Sequence, residues 1–404
     1  MVGNPERGRA KIEWAADHMP LRQRLEEQLS ADRPFRERRI AMSIHLEAKT
    51  ACLAMLLRDA GAEVWATGCN PLSTQDDIAA ALALEDGITV HARHGASPTE
   101  YAQDLRRTLA GRPNLILDDG GDLVALLQED PQENVLGGCE ETTTGVSRLR
   151  VLARQKRLAF PMFAVNDAKM KTLFDNRYGT GQSVWDGIFR STNLLIAGKS
   201  VLVVGYGWTG RGIALRARGL GGRVTVCEVD PVSALEARME GYDVAPIDRA
   251  IRTADLVISA TGCTDAVPEG ALRAAKDGVV LANAGHFNVE IRPEALASLS
   301  TTHRSVRDGV EEYTFPDGRR VVLLGEGRLV NLALGDGHPV EIMDLSFAIQ
   351  VLTLRHLLEN LPMPPDVYTV PRAIDEQVAR LKLETLHVEI DQLTESQRAY
   401  LGLT

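Results

Sequence analysis

Eight side chains able to move protons or hydrogen-bond a substrate fall where apolar runs end or loops begin: His45, Asp119, Glu141, Lys171, Asp175, Asn176, His286 and His338. Imidazoles, carboxylates and amines facing one cleft perform general acid–base catalysis. Lys171 and Asp175 are four residues apart, so on a helix they share a face. In an enclosed cleft, a lysine beside a carboxylate can be tuned to take a proton from a hydroxyl. On a surface the same pair is an ordinary ion pair, and spacing alone leaves both readings open. Thr142, Thr143 and Thr144 follow Glu140-Glu141 and offer three hydroxyls in a row, or simply a strand-end turn. His91 and His94 have no acid or cysteine partner nearby, so no metal site is expected. His18, His303, His356 and His387 read as ordinary surface or core residues.

The elements that must position these groups show in the pattern of apolar runs. From Arg39, short apolar runs alternate with helix-like stretches through RRIAMSIHL, AEVWATG, ITVHARH, NLILDD and FPMFAVND. A second alternation runs through VLVVGYG, VTVCEVD, DLVISATG, GVVLANAGH and VVLLGEG. Such alternation marks βαβ units on a parallel sheet, whose ligands bind beyond the carboxyl ends of the strands. The expected fold class is α/β: two doubly wound Rossmann-like domains with parallel sheets, plus a small C-terminal helical tail. Residues 1–38 are helical in period, with Met19, Leu21, Leu25 and Leu29 on one face. A Gly pair at 179–181 has the look of a hinge. A helix over Ser183–Leu195 leads into the second alternation, and a long apolar helix near Ile342–Leu358 is expected to cross back to the first domain. The division is 1–180 with 338–370 for substrate, 181–337 for a nucleotide, and 371–404 as a tail for oligomer contacts, with a helix over Ala373–Leu383.

Between two runs of the second alternation lies Gly205-Tyr206-Gly207-Trp208-Thr209-Gly210. Gly205 permits the tight turn, Gly207 lets backbone N–H groups approach a pyrophosphate, and Gly210 lets helix and strand pack closely. The helix that follows, with Trp208 and Thr209 in its first turn, turns its positive end to the phosphates. Glu228 stands 18 residues after Gly210 at a strand end. There a carboxylate accepts from both ribose hydroxyls of NAD and repels a 2′-phosphate. Strand, glycines, helix and acid together point to bound NAD.

Bulk properties exclude several classes. A chain of 404 residues that is 44% hydrophobic and 25% charged has the make-up of a globular protein with two or three cores. A net charge of −10 without a basic run argues against nucleic-acid binding. No run approaches the ~18 apolar residues of a membrane span, and the first residues lack a signal-peptide core. Cys52, Cys69, Cys139, Cys227 and Cys263 form no C-x-x-C pair and are odd in number. They read as reduced thiols packed as small buried hydrophobes in a cytoplasmic protein.

STQDD (73–77), LDDGGDL (117–123), EETTTG (140–145), VNDAKMKTLFDNRYG (165–179), GYGWTGRG (205–212), NAGHFNVEI (283–291), EGRLVNL (326–332) and GHP (337–339) resemble the S-adenosyl-L-homocysteine hydrolases, in order and over most of the chain. The resemblance implies a substrate domain, an NAD domain, a hinge and a homotetramer. It also implies a reaction: the ribose 3′-hydroxyl is oxidised by resident NAD, and the C4′ proton becomes acidic. Homocysteine then leaves C5′, water adds, and the ketone is reduced again, so that the net change is reversible hydrolysis. By resemblance, Lys171 with Asp175 takes and returns the 3′-hydroxyl proton, and Asn176 supports them. Asp119 removes the C4′ proton, His45 handles the leaving thiolate and the attacking water, and Glu141 holds ribose hydroxyls. His286 and His338 flank sugar and homocysteine, while Thr142, Thr143, Thr144, Gly207, Gly210, Glu228 and Asn331 hold NAD. A 2-hydroxy-acid dehydrogenase would not explain the 140–145 and 165–179 motifs. An inactive regulator would not retain Lys171, Asp175, Asp119 and His45.

Three departures from the family pattern stand out. Where the pattern reads His-x-Thr-x-Glu-Thr, this chain has His45-Leu46-Glu47-Ala48-Lys49-Thr50. In the family the two variable positions face the nucleobase edge, with glutamate accepting from the 6-amino group of adenine. Lys49 can only donate, so it would meet that amino group donor against donor. Hypoxanthine reverses the edge: Lys49 to O6 and Glu47 to N1–H would satisfy both. S-inosyl-L-homocysteine is therefore the expected substrate. A Glu47–Lys49 ion pair, with adenine left to backbone groups, is the alternative, because positions i and i+2 need not both face the base. Second, many members carry a Lys- and Tyr-bearing extension that reaches a neighbouring subunit's NAD; this sequence runs to Tyr400-Leu401-Gly402-Leu403-Thr404 and looks like a shorter-tailed branch. Third, a family Asn after the ribose-binding acid is Ser233, which implies looser NAD binding.

Overall fold

The computed structural model describes residues 3–403. Strands β1 (Arg39–Ser43), β2 (Glu63–Thr67), β3 (Ile88–Val90), β4 (Leu115–Asp118), β5 (Gly137–Glu140) and β6 (Met162–Ala164) lie in one parallel sheet. β7 (Ser200–Val204), β8 (Arg223–Cys227), β9 (Asp243–Val244), β10 (Leu256–Ser259), β11 (Val279–Asn283), β12 (Thr302–Arg307), β13 (Val310–Thr314) and β14 (Arg320–Leu324) form the other. β15 (Val367–Thr369) returns to pair with β6, giving the first sheet the order β15-β6-β5-β4-β1-β2-β3. The second sheet runs β12-β13-β14-β11-β10-β7-β8-β9.

The central strands are apolar on both faces because both faces are covered. In β1, Ile40 and Met42 enter one core while Ala41 enters the core on the opposite face. In β7, Val201 and Val203 point one way, Leu202 and Val204 the other. Each of the Val, Leu, Ile and Met side chains among them contributes about 1.5–3 kcal/mol on burial.

Helices α1 (Pro5–Asp17) and α2 (Pro20–Asp32) divide at Pro20, which lacks the N–H that a continuous helix needs. Leu21, Leu25 and Leu29 are buried along α2, as the spacing requires. The helices that matter for the site are α3 (Ala48–Asp59), α4 (Thr143–Arg154), α5 (Thr180–Thr192), α6 (Trp208–Gly219), α7 (Val340–Glu359) and α8 (Arg372–Thr385). α7 does pack back on the first sheet's side, where Asp344 accepts from the N–H groups of Leu21 and Arg22 at 2.9 Å and so caps α2. Asp375 of α8 likewise accepts from Lys169 and Met170 N–H at 2.8 Å, fixing the turn that carries Lys171.

Three features differ from the sequence reading. β12 and β13 form an antiparallel pair appended to the otherwise parallel second sheet. β12 is exposed throughout, and its arginines suit an unpaired edge. The helix expected at Ser183–Leu195 begins earlier, at Thr180, and ends at Asn193 in the left-handed conformation. Cys263 is exposed, whereas the other four cysteines are buried; all five are free thiols.

Candidate active site

The strand ends of the two sheets face one cavity of about 610 Å³. On the second-sheet side the backbone builds a nucleotide cradle. Gly205 has φ +96°, a left-handed conformation that glycine adopts without strain. A Cβ on Gly210 would collide with the Gly205 carbonyl, whereas one on Gly207 would meet nothing within 4 Å among the described residues. Gly210 thus serves helix–strand packing, and Gly207 leaves open backbone at the N-terminus of α6. Trp208 and Thr209 line the cavity there. Glu228 accepts from the N–H groups of Tyr206 at 2.6 Å, Val229 at 2.7 Å and Asp230 at 3.0 Å, so its carboxylate is fixed at the β8 end. Asn331 donates to Ser183 Oγ at 2.9 Å while its buried Oδ1 has no partner among the described residues. Thr143 and Thr144 also line the cavity. The Thr142 hydroxyl is already engaged, donating to Glu140 Oε1 and accepting from Gly145 N–H. An open glycine at a helix N-terminus, an anchored acid and an orphaned amide oxygen fit NAD.

On the first-sheet side the site is built from side chains. Lys171 Nζ donates to Asp175 Oδ1 and Asn176 Oδ1, both at 3.0 Å, and lies 3.5 Å from Glu141 Oε1. The chain over Thr172–Gly179 is π-helical. Its wider turn brings both the fourth and the fifth residue onto Lys171, which an α-helix does not do. Such turns recur at functional sites. Asp175 Oδ2 accepts from Ser346 Oγ at 2.9 Å and lies 3.4 Å from His338 Nδ1. His338 Nε2 pairs with Thr180 Oγ1 at 2.9 Å. Asn176 donates to Asn166 Oδ1 at 3.2 Å, and Glu141 Oε2 accepts from Gln350. His45 Nδ1 is held by Ser73 Oγ at 2.6 Å, leaving Nε2 3.6 Å from Asp119 Oδ2. His286 Nδ1 is 3.8 Å from Asp119 Oδ1, which has no hydrogen-bond partner among the described residues, and Cys69 Sγ donates to Asp119 Oδ2 at 3.4 Å. His45, Asp119 and His286 bring one nitrogen or oxygen each within 4.8 Å of one another.

The electrostatics of this centre divide by neighbour. Burial opposes the charge of Lys171, but Asp175 and Glu141 outweigh it and hold the ammonium above the usual lysine range. Burial likewise opposes the charge of Asp175, yet Lys171 and His338 keep its carboxyl well below the usual range. Burial raises Glu141 to about 7 against the pull of Lys171. Burial lowers His45 to about 4, despite Asp119, so its imidazole is neutral at pH 7.

At the far end of the substrate side, Glu47 caps α3. Its Oε2 accepts from Lys49 N–H at 3.0 Å and from Lys49 Nζ at 2.8 Å, and both side chains are buried. Lys49 Nζ also donates to the Asp336 carbonyl at 2.7 Å, in the segment that leads back to α7. Thr50 Oγ1 donates to the His45 carbonyl at 2.6 Å and so braces the turn carrying His45. Sequence reasoning did not find Ser346, Gln350 or Cys69, and it met Ser73 and Asn166 only inside the motifs at 73–77 and 165–179, without a role of their own. Ser346 and Gln350 did leave a signal: two polar residues four apart on an apolar helix, which must find partners once buried.

Family profiles for S-adenosyl-L-homocysteine hydrolase match residues 2–136, and for its NAD-binding domain residues 176–337. The chain is 55% identical to the adenosylhomocysteinase of Thermotoga maritima, over 98% of each chain. It is 51% identical to the S-inosyl-L-homocysteine hydrolase of Methanothermobacter thermautotrophicus, over 98% of this chain and 95% of that one. It is also 51% identical to the adenosylhomocysteinase of Pyrococcus abyssi, over 98% and 94%. With both profiles in order along the chain, and the glycine cradle facing the lysine–carboxylate centre, the protein belongs to the S-adenosyl-L-homocysteine hydrolase family and is an NAD-binding hydrolase.

Proposed function

We propose that this enzyme hydrolyses S-inosyl-L-homocysteine in preference to S-adenosyl-L-homocysteine, giving inosine and L-homocysteine. The observation that carries the preference is the buried pair of Glu47 and Lys49, an acceptor 2.8 Å from a donor. Lys49 spends two N–H groups on Glu47 and the Asp336 carbonyl and keeps a third. With Lys49 opposite C6, as the family pattern orders these positions, that N–H meets O6 of hypoxanthine and Glu47 meets N1–H. The amino group of adenine would leave two buried donors facing each other, which costs about 1–3 kcal/mol or more. The opposite register, with Glu47 on the 6-amino group and Lys49 on N1, satisfies adenine; the Thermotoga and Pyrococcus relatives are named for the adenosyl substrate and the Methanothermobacter relative for the inosyl one. Comparing kcat/KM for the two thioethers tests the preference. An inosyl advantage of about a hundredfold is expected, and equal or adenosyl-favouring values overturn it.

Bound NAD supplies the reversible oxidation of the ribose 3′-hydroxyl. Lys171, entering as the neutral amine, takes the hydroxyl proton, and Glu141 holds the ribose hydroxyls. Asp175 and Asn176 hold the amine in place. Asp119, with its free Oδ1, removes the proton at C4′ that the adjacent ketone has made acidic, and homocysteine departs from C5′ as thiolate. Neutral His45 accepts a proton from the water that adds at C5′, and that proton neutralises the thiolate. Asp119 then returns its proton to C4′, and Lys171 returns one to the 3′-oxygen as the ketone is reduced. His286 and His338 bound the sugar and homocysteine sides.

Residues 1–180 with 338–370 hold substrate in this reading, and 181–337 hold NAD. A homotetramer in a reducing cytoplasm completes it. The five free thiols support the compartment. The exposed apolar Leu386, Val388, Ile390, Leu393 and Tyr400 of the tail support subunit contacts.

A further inference from the structure

Next to Glu141 lies a second buried acid for which the mechanism has no use. Glu140 ends β5, and across the sheet it pairs with Asp118, which ends β4. Both side chains are fully buried, at 0% exposure. Two adjacent interior carboxyls are costly, so their contacts must account for them. Glu140 Oε1 accepts three hydrogen bonds: from Gly120 N–H at 2.9 Å, Thr142 N–H at 2.9 Å and Thr142 Oγ1 at 2.8 Å. Gly120 adjoins Asp119, and Thr142 opens the threonine run that faces the cofactor side. Asp118 holds the same loop from beneath, accepting from Asp119 N–H at 3.1 Å and Val124 N–H at 2.9 Å. The fit around Glu140 is close, since a Cβ on Gly145 would strike its carboxyl. Burial and the neighbouring Asp118 push the Glu140 carboxyl well above the usual range.

We propose that Glu140 is a positioning residue for proton transfer at C4′: one carboxyl oxygen ties the Asp119 loop to the Thr142–Thr144 loop, so that removal of the C4′ proton stays aligned with oxidation at C3′. The Glu140 side chain bonds to Gly120 and Thr142 and not to Lys171, Asp175 or Asn176, so loss of the tie should fall on C4′ and spare C3′. The proposal rests on the assignment of Asp119 as the C4′ base.

The test uses NAD-loaded wild type, Glu140→Met and Glu140→Gln, with every rate divided by bound NAD. Inosine is added without homocysteine, and adenosine serves equally if the base preference fails. Two steps are read apart: the rise in absorbance near 340 nm for oxidation at C3′, and exchange of the C4′ hydrogen with D2O. Glu140→Met keeps the length of the side chain without its acceptor, and should lower exchange about a hundredfold while the absorbance step stays within about threefold. Glu140→Gln keeps the carbonyl oxygen and should restore exchange to within about fivefold of wild type. A purely structural role would lower both steps by one factor, or neither; either result overturns the proposal, as does Glu140→Gln behaving like Glu140→Met. If Glu140→Met does not fold, Glu140→Asp, which draws the acceptor back by one carbon, replaces it with the same expectation. Asp119→Asn is the control: if it leaves exchange intact, the Asp119 assignment has failed, and that outcome is distinct from failure of the tie.

Discussion

The nucleotide cradle and the proton-transfer centre face each other across one cavity and are built in opposite ways. The cradle is backbone: Gly205, Gly207 and Gly210 within six residues, with one anchored carboxylate at Glu228. The centre is side chain. Lys171, Glu141, Asp119, His45 and His338 come from separate strand ends and loops, and Ser346 and Gln350 on α7 hold Asp175 and Glu141. A backbone site needs a short contiguous motif and tolerates variation around it. A side-chain site needs the whole fold to be correct to within a fraction of an ångström.

The largest effect that should separate the two regions is Lys171→Ala. It should lower homocysteine release about a thousandfold while NAD occupancy is unchanged; activity surviving at a tenth of wild type contradicts the role given to Lys171. On the cradle side, Gly210→Ala should cost folding, because its Cβ strikes the Gly205 carbonyl. Gly207→Ala should leave the melting temperature alone and weaken NAD about tenfold, since its Cβ meets no protein atom. Isothermal titration and thermal melts on the two variants check this; equal melting temperatures would erase the distinction. Within the centre, Gln350→Leu should lower kcat about 10- to 100-fold. It should also move the ascending limb of the pH profile upward, because the Gln350 bond pulls down a Glu141 pKa that burial raises to about 7.

The smallest effect is on stability. Burial lifts Asp118 from its usual range to about 7, so the folded state favours its proton. Its contribution is complete below the unfolded carboxylate range and is lost as pH rises through about 7. The melting temperature should fall as pH rises from about 4 to about 7, and Asp118→Asn should flatten that slope.

The same contrast explains what could be read from the chain alone. The apolar strand runs, the G-x-G-x-x-G turn and the acid at Glu228 are local, and local chemistry dictates their conformation. β5 was harder to see, because Gly137-Gly138-Cys139-Glu140 has no β-branched residue and is held by neighbours on both sides. β12 is a charged edge whose pairing depends on β13, so its own pattern carries little strand signal. The Lys171–Asp175 pairing followed from spacing, but its Asn176 partner depends on a π-helical turn that spacing does not announce. Ser346 and Gln350 were hidden in an apolar helix because their partners lie about 170 and 209 residues away. Glu47 and Lys49 were legible as a departure from a pattern; their mutual contact and the Asp336 carbonyl emerge only in three dimensions.

Glu47 and Lys49 also carry the central claim, that a donor–acceptor pair sets the choice of base. The direct measurement is the ratio of kcat/KM for S-inosyl- and S-adenosyl-L-homocysteine, in the wild type and in the Glu47→Thr, Lys49→Glu double variant. The account predicts a wild-type ratio of about a hundred in favour of the inosyl substrate, and a ratio below one in the variant. A ratio that is unchanged by the double substitution, whichever base it favours, would contradict it.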